Sequence, residues 1–306
     1  MVKKNRMLVI ILICLIQSSF VIAQTDNDGI MMKKGQWCNG AVYMHSQFTN
    51  YWEGTLKRDN ANMGTVSNQS VMAMSNYGIT DKLNLIASLP YVWTSASAGT
   101  LHGLKGFQDA SLFLKWKPYT VSINKNKLSF FAIGGISTPT NNYVIDFLPL
   151  SIGLGTTNVT GRLTADYQVG IFYATLSGAY TWRSNAKLDR TSYYTTDIHY
   201  TNIVQMPDVL NFNFNLGIRK KYLVVEAIVE NMTTLGGFDI RRNDMPFVSN
   251  RMNSTSLAIH SKYTLPFYTH IELVAGGSQV IAGRNIGQST SFHLGGYYIF
   301  TFKSKK

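Results

Sequence analysis

Six histidines and a sparse set of acids and bases are the residues of this 306-residue chain that could do chemistry. Nucleophilic catalysis needs a hydroxyl or thiol beside a base, with a third group orienting that base. Metal capture by one element needs a repeat such as His-x-x-x-His. His45, His102, His199, His260, His270 and His293 show neither arrangement. The sequence therefore leads us to expect no catalytic residue, no cofactor-binding residue and no metal ligand, and the chain does not read as an enzyme. Polar filling is the simpler use of these side chains, with His102 and His199 in loops and His260 and His293 on the polar faces of strands.

The charges are more informative. Arg162 and Asp166 share one polar face, and Glu226, Glu230, Lys262 and Glu272 fall on the polar faces of three consecutive segments. Such a set can line a polar path for a solute. It can equally form a self-neutralising network inside a plugged pore, because charges withdrawn from water are as a rule paired. Lys262 is expected between Glu226 and Glu272, near one rim.

Long alternating segments must position these groups. In "YGITDKLNLIASLPYVW", residues 77–93, the odd positions from Leu83 to Trp93 are all apolar and the even ones mostly small or polar. A period of two marks a strand with one apolar face, here about twice the usual ~5–6 residues. Twelve such segments are expected, at 36–50, 65–78, 82–95, 107–119, 127–138, 157–168, 170–183, 208–219, 222–232, 254–265, 269–281 and 288–302. In one of them Leu210, Phe212, Phe214, Leu216 and Ile218 alternate with Asn211, Asn213 and Asn215. Short connections ("GITDK", "KKY", "PFY") alternate with long polar ones at 51–64, 96–106, 139–156, 184–207 and 233–253.

That rhythm belongs to barrels of the bacterial outer membrane, with short periplasmic turns and long outer loops. A tilted strand needs ~9–11 residues to cross the hydrocarbon, and lipid satisfies no backbone group, so the strands must close into a ring. The expected fold is all-β, a transmembrane antiparallel barrel of about twelve strands over residues 37–306. Tyr91, Trp93, Trp116 and Tyr119 would stand at the two interfaces. Pro90 interrupts the third strand. Proline brings no N–H and a closed barrel has no edge, so Pro90 should mark a bulge or inward kink there.

Residues 1–23 place Lys3, Lys4 and Arg6 before "MLVIILICLI" and end on Ala23, as a cleaved secretory signal does. Residues 24–36, "QTDNDGIMMKKGQ", either enter the barrel as a short plug or form a periplasmic tail. With Cys14 inside the signal, Cys38 is the cysteine that remains, so no internal disulfide is expected. Without the three basic residues of the signal, the net charge of +12 falls to +9, spread without a basic block. It suits anionic lipid headgroups rather than nucleic acid. Outer-membrane lipid, the barrel-assembly machinery and a solute are the expected partners.

The span Tyr77–Tyr119 resembles the outer-membrane proteins of the meta-pathway of phenol degradation. Tyr77, Gly78, Thr80, Asp81, Leu89, Pro90, Tyr91, Gly106, Asp109, Leu114 and Lys115 match the wording of that family. Trp116 stands where tyrosine is commoner, and Phe107-Gln108 replaces the usual Gly/Leu pairing. Barrels of that family are similar to long-chain fatty acid transporters. The resemblance implies passive transport of hydrophobic or aromatic small molecules, with cargo leaving sideways at the Pro90 kink. The alternative is a non-transporting scaffold or surface-interaction barrel acting through its outer loops, notably "YYTTDIHYTN".

Overall fold

The computed structural model describes residues 27–124, 126–241 and 244–302. The expected signal and residues 24–26 lie outside the described residues. Twelve long strands form the body: β1 (Gln36–Phe48), β2 (Val66–Thr80), β3 (Leu83–Ala96), β4 (Asp109–Ile123), β5 (Asn126–Pro139), β6 (Asn158–Val169), β7 (Phe172–Arg183), β8 (Val209–Arg219), β9 (Leu223–Thr234), β10 (Asn253–Thr264), β11 (Ile271–Arg284) and β12 (Thr290–Thr301). Each pairs antiparallel with its neighbours in sequence, and β1 pairs with β12 from Gln36–Thr301 to Gln47–Thr290, closing the ring. Among the described residues no helix is long and apolar enough to cross a membrane. The strands do the crossing.

These strands fall on the twelve expected segments, with ends displaced by a few residues. The largest difference is in β4, which continues to Ile123 instead of stopping at Tyr119. A register shift between Trp116 and Tyr119 absorbs Pro118 and lets pairing with β5 resume, as bulges do where a residue cannot donate to the ladder.

Alternation sends one face of every strand outward. Phe212, Phe214 and Leu216 of β8 are exposed while Asn213 and Asn215 are buried; on β6, Val159, Leu163 and Tyr167 are exposed and Thr164 and Asp166 buried. An exposed belt of Leu, Ile, Val and Phe is unstable in water and fits hydrocarbon. Aromatic clusters bound it at both ends. At one, Tyr43 lies against Trp93 and Phe292, and Tyr91 meets Phe107 edge-on at 5.2 Å. At the other, Trp37 lies against Phe300 and Phe302, with Tyr298 and Tyr268 beside them.

The long connections share one end of the barrel and the short turns the other. The long ones contain small hairpins that the sequence did not announce, such as Asn50–Glu53 with Leu56–Asp59 and Tyr193–Tyr194 with Ile198–His199. The long-loop end is the outer one in barrels of this type. A tag inserted within 184–207 should therefore be reached by antibody added to intact cells, and one at Lys220 should not. Labelling of Lys220 alone would invert the topology.

Candidate functional site: the lumen and its two closures

The chain before β1 turns into the barrel at the short-turn end. The Gly35 N–H donates to Gly78 O (2.9 Å), the Lys34 N–H donates to Asp81 Oδ1 (2.9 Å), and Met32 is buried among Cys38, Val42, Val274, Tyr297 and Ile299. Gly29 lies flush on Asp166 of β6, where a Cβ would stand 2.2 Å from the carboxyl carbon. One step further, Asp28 is buried with one lysine on each carboxylate oxygen. Lys115 Nζ donates to Oδ1 and Lys262 Nζ to Oδ2, both at 2.8 Å, and Lys115 also reaches the Asp28 carbonyl at 2.6 Å. Lys115 is on β4 and Lys262 on β10, six strands apart in a ring of twelve. Asp28 therefore ties opposite walls of the barrel across its interior.

The sequence-derived charges surround this tie. Asp166 takes a two-pronged pair from Arg219 (both contacts 3.2 Å) and a hydrogen bond from Thr175 (2.6 Å). Glu226 accepts from Tyr173 (2.8 Å) and Asn215 (2.9 Å). Glu230 accepts from Asn213 at 3.1 Å, and Arg162 donates to Ser177 at 2.9 Å and to Asn213 at 3.4 Å. Lys262 lies on β10 between β9 and β11. Glu226 and Glu272 are each one same-face step away from it and act on its charge. All six are on the inward face. In this low-dielectric interior, hydrogen bonds to charged groups are worth ~1.5–3 kcal/mol each, and these residues hold one another rather than standing open to a passing solute.

The outer end is closed differently. The loops 140–157, 184–208 and 235–252 bring Ile145, Ala186, Leu188, Val204, Met206, Phe247 and Val248 into an apolar core of their own. Asn285, in the left-handed region (φ 52°) that asparagine tolerates, joins three loops. Its Oδ1 accepts from the Gly54 and Ile240 N–H groups, and its Nδ2 donates to Asp239 and to the Arg251 carbonyl. Arg284 donates to Asp239 at 2.8 and 2.5 Å, and these hydrogen bonds hold the Asp239 carboxyl down at about 2. Between the loops lies a cavity of about 260 Å³ whose wall includes Phe48, Tyr51, Met63, Leu148, Ile240 and Met252.

Below that lid, inside the barrel, is a chamber of about 400 Å³ with Met44, Met72 and Met74 on one wall and Asn213, Asn215 and Glu226 on the other. His260 and His293 lie between, ring on ring. Met72 is the cross-strand partner of Pro90, which brings the chamber to the third strand.

At Pro90 the ladder is continuous toward β2 and interrupted toward β4. Ser88 faces Ser111 and Tyr91 faces Phe107, so Leu89-Pro90 oppose the three residues Gln108–Ala110. The extra residue thus belongs to the facing segment and not to the third strand, as the sequence had led us to expect. The reason is geometric. In an antiparallel pair a residue's N–H and C=O point to the same neighbour, and Pro90 O accepts from Gln108 N at 2.9 Å. The missing N–H is therefore on the β4 side, and only that seam yields.

No protein-family model and no curated protein matches this chain. Solved structures do. An outer membrane channel from Pseudomonas putida F1 superposes with a TM-score of 0.72 at 16% identity, over 92% of this chain and all of that one. The translocator domain of the autotransporter NalP from Neisseria meningitidis follows at 0.47 and 11% identity, over 86% of this chain and 88% of that one. The NanC porin stands at 0.45 and 8%, over 86% and 100%. The first of these shows the fold: the chain is a closed twelve-stranded barrel of the outer-membrane type.

Proposed function

We propose that this barrel lets hydrophobic or aromatic small molecules pass the outer membrane passively, as the resemblance to the phenol meta-pathway barrels implies. The observation that carries it is the outer cavity, where Phe48, Tyr51, Met63, Leu148 and Ile240 offer a mostly apolar receiving surface beside the polar Asn60, Asn62, Asp244 and Asn285. Small-molecule sites have this character, an apolar lining with a few placed polar groups. A pore for sugars or ions would present polar groups to incoming solute instead. The methionine-lined chamber supports the same class of cargo, because thioethers adapt to varied apolar shapes and contact ring edges favourably. On this proposal the ion-paired network around Asp28 is a closure. Solute leaves sideways at the interrupted seam between β3 and β4, and no step is catalytic.

Proteoliposomes test it. Flux of a small aromatic solute should exceed that of a sugar of similar mass, and equal or absent flux of both would overturn the proposal. Pro90→Ala restores an N–H at the seam and should slow aromatic flux severalfold in a folded barrel; unchanged flux would remove the lateral route. Tyr194, Ile198 and Tyr200 are exposed on the hairpin at 193–200, which favours the surface-interaction alternative. Deleting 193–202 should leave flux intact, whereas loss of cell-surface binding without any measurable flux would establish the alternative.

A further inference from the structure

We propose that the chamber binds one soft monovalent cation, Cu(I) or its surrogate Ag(I), through His260, His293, Met44 and Met72. Three of these share one rung of the wall. Met44 on β1 faces His293 on β12, His293 faces Gly276 on β11, and Gly276 faces His260 on β10. Gly276 lets the two imidazoles meet across it. A Cβ there would stand 2.5 Å from Cε1 and 2.8 Å from Nε2 of His293. With that position bare, the rings stack with centroids 5.0 Å apart, and His260 Nδ1 comes within 2.8 Å of His293 Nε2. Two neutral imidazoles at this distance hold one proton between a donor and an acceptor nitrogen.

A soft cation takes that proton's place. The proton passes, by exchange through water, to the far nitrogen of the same ring, so both imidazoles stay neutral and each facing nitrogen gives a lone pair to the metal. Metal–nitrogen bonds of ~2 Å in a tetrahedral set of four donors put the two nitrogens ~3.3 Å apart, so the rings must part by about half an ångström. Thioethers complete the set. Residues directly opposite on neighbouring strands have Cβ atoms ~4.5–5.5 Å apart and diagonal ones ~7–8 Å, within reach of long side chains. Met44 is directly opposite His293, Met72 is one diagonal step from Met44 on β2, and both line the chamber with the two histidines.

The donor set decides the metal. Among the described residues no group of three or more His, Cys, Asp and Glu is placed to hold one, so a site built on carboxylates or thiolates for Ca(II), Mg(II) or structural Zn(II) is not offered. Imidazole with thioether is the combination that selects Cu(I). Glu226 faces His260 from β9, and the Lys262 ammonium, one same-face step from His260, is turned to Asp28.

Silver titration of the full-length protein in detergent, in a Cys38→Ala background, tests the site without a redox step. One Ag(I) per chain should bind. Met44→Leu/Met72→Leu and His293→Phe should each weaken it about tenfold or more, in the range seen when parts of metal sites are removed. X-ray absorption of the bound ion should show both nitrogen and sulfur neighbours. Leucine conserves methionine's volume, so the double methionine variant decides if His293→Phe does not fold. Binding unchanged in that variant, binding lost by Cys38→Ala alone, or a sulfur-only spectrum that places the ion at Met63 and Met252 of the outer cavity would each overturn the proposal.

Discussion

Asp28→Ala should turn a closed barrel into a conducting one. Each Asp28 oxygen holds a lysine on an opposite wall, at 2.8 Å. Removing one partner of a buried pair costs ~3–5 kcal/mol because the charge left behind stays out of water. The wall cannot relieve that cost, since twelve ladders fix it. The segment 27–35 can. Met32 anchors it, but burying one such side chain contributes only ~1.5–3 kcal/mol, less than the charge penalty. Displacement of the segment would admit water to Lys115 and Lys262, while the bonds from Lys34 and Gly35 to Asp81 and Gly78 serve as its hinge. Single-channel recording in planar bilayers should show large, long openings for Asp28→Ala and little conductance for the native chain. In Asp28→Leu/Lys115→Met apolar contact replaces the charge pair, and Lys262 keeps Glu226 and Glu272 nearby, so closure should return. Native-like conductance of a correctly assembled Asp28→Ala protein would mean that this segment does not close the pore.

The wall was legible in the sequence and the closures were not, for a physical reason. A strand between lipid and a polar lumen must alternate, so Phe212 against Asn213 or Leu163 against Thr164 declares its direction from its neighbours alone. By the same parity Lys115, set between Leu114 and Trp116, had to point inward. Its partner could not be found that way, because "DNDGIMMKK" carries no period and Asp28 is fixed by contacts 87 and 234 residues distant in sequence. His260 and His293 are 33 residues apart. They meet only through the register of three strands and the absence of a side chain at Gly276, which no local spacing reveals. The outer lid collects Ile145, Leu188, Val204 and Phe247 from separate loops, and loop residues answer to no repeat. Pro90 shows the intermediate case: its chemistry demanded an interruption, and only the hydrogen-bond direction assigned it to the seam with β4.

Leu163→Arg should be the most damaging single substitution on the outer wall, although Leu163 touches little protein. It lies near the middle of β6, faces away from the lumen and is 72% exposed; Tyr200, in an outer loop, is 83% exposed. In water the two positions would be equivalent, and surface substitutions at such places usually change stability by less than ~0.5 kcal/mol. In a bilayer they are not. An arginine at the midplane of a barrel's lipid face costs ~2–4 kcal/mol, and the penalty falls toward zero at the interfaces. Its direct neighbours across the ladders are Ala132 and Gly178, neither of which offers the guanidinium a polar side chain. Urea unfolding in lipid vesicles should therefore separate Leu163→Arg from the native protein by that amount and leave Tyr200→Arg almost unchanged. The difference should vanish for the same substitution at Val169, which ends β6 at the short-turn rim. If Leu163→Arg proved as harmless as Tyr200→Arg, the apolar belt would have to be covered by something other than lipid, and the barrel's axis could not lie across the membrane.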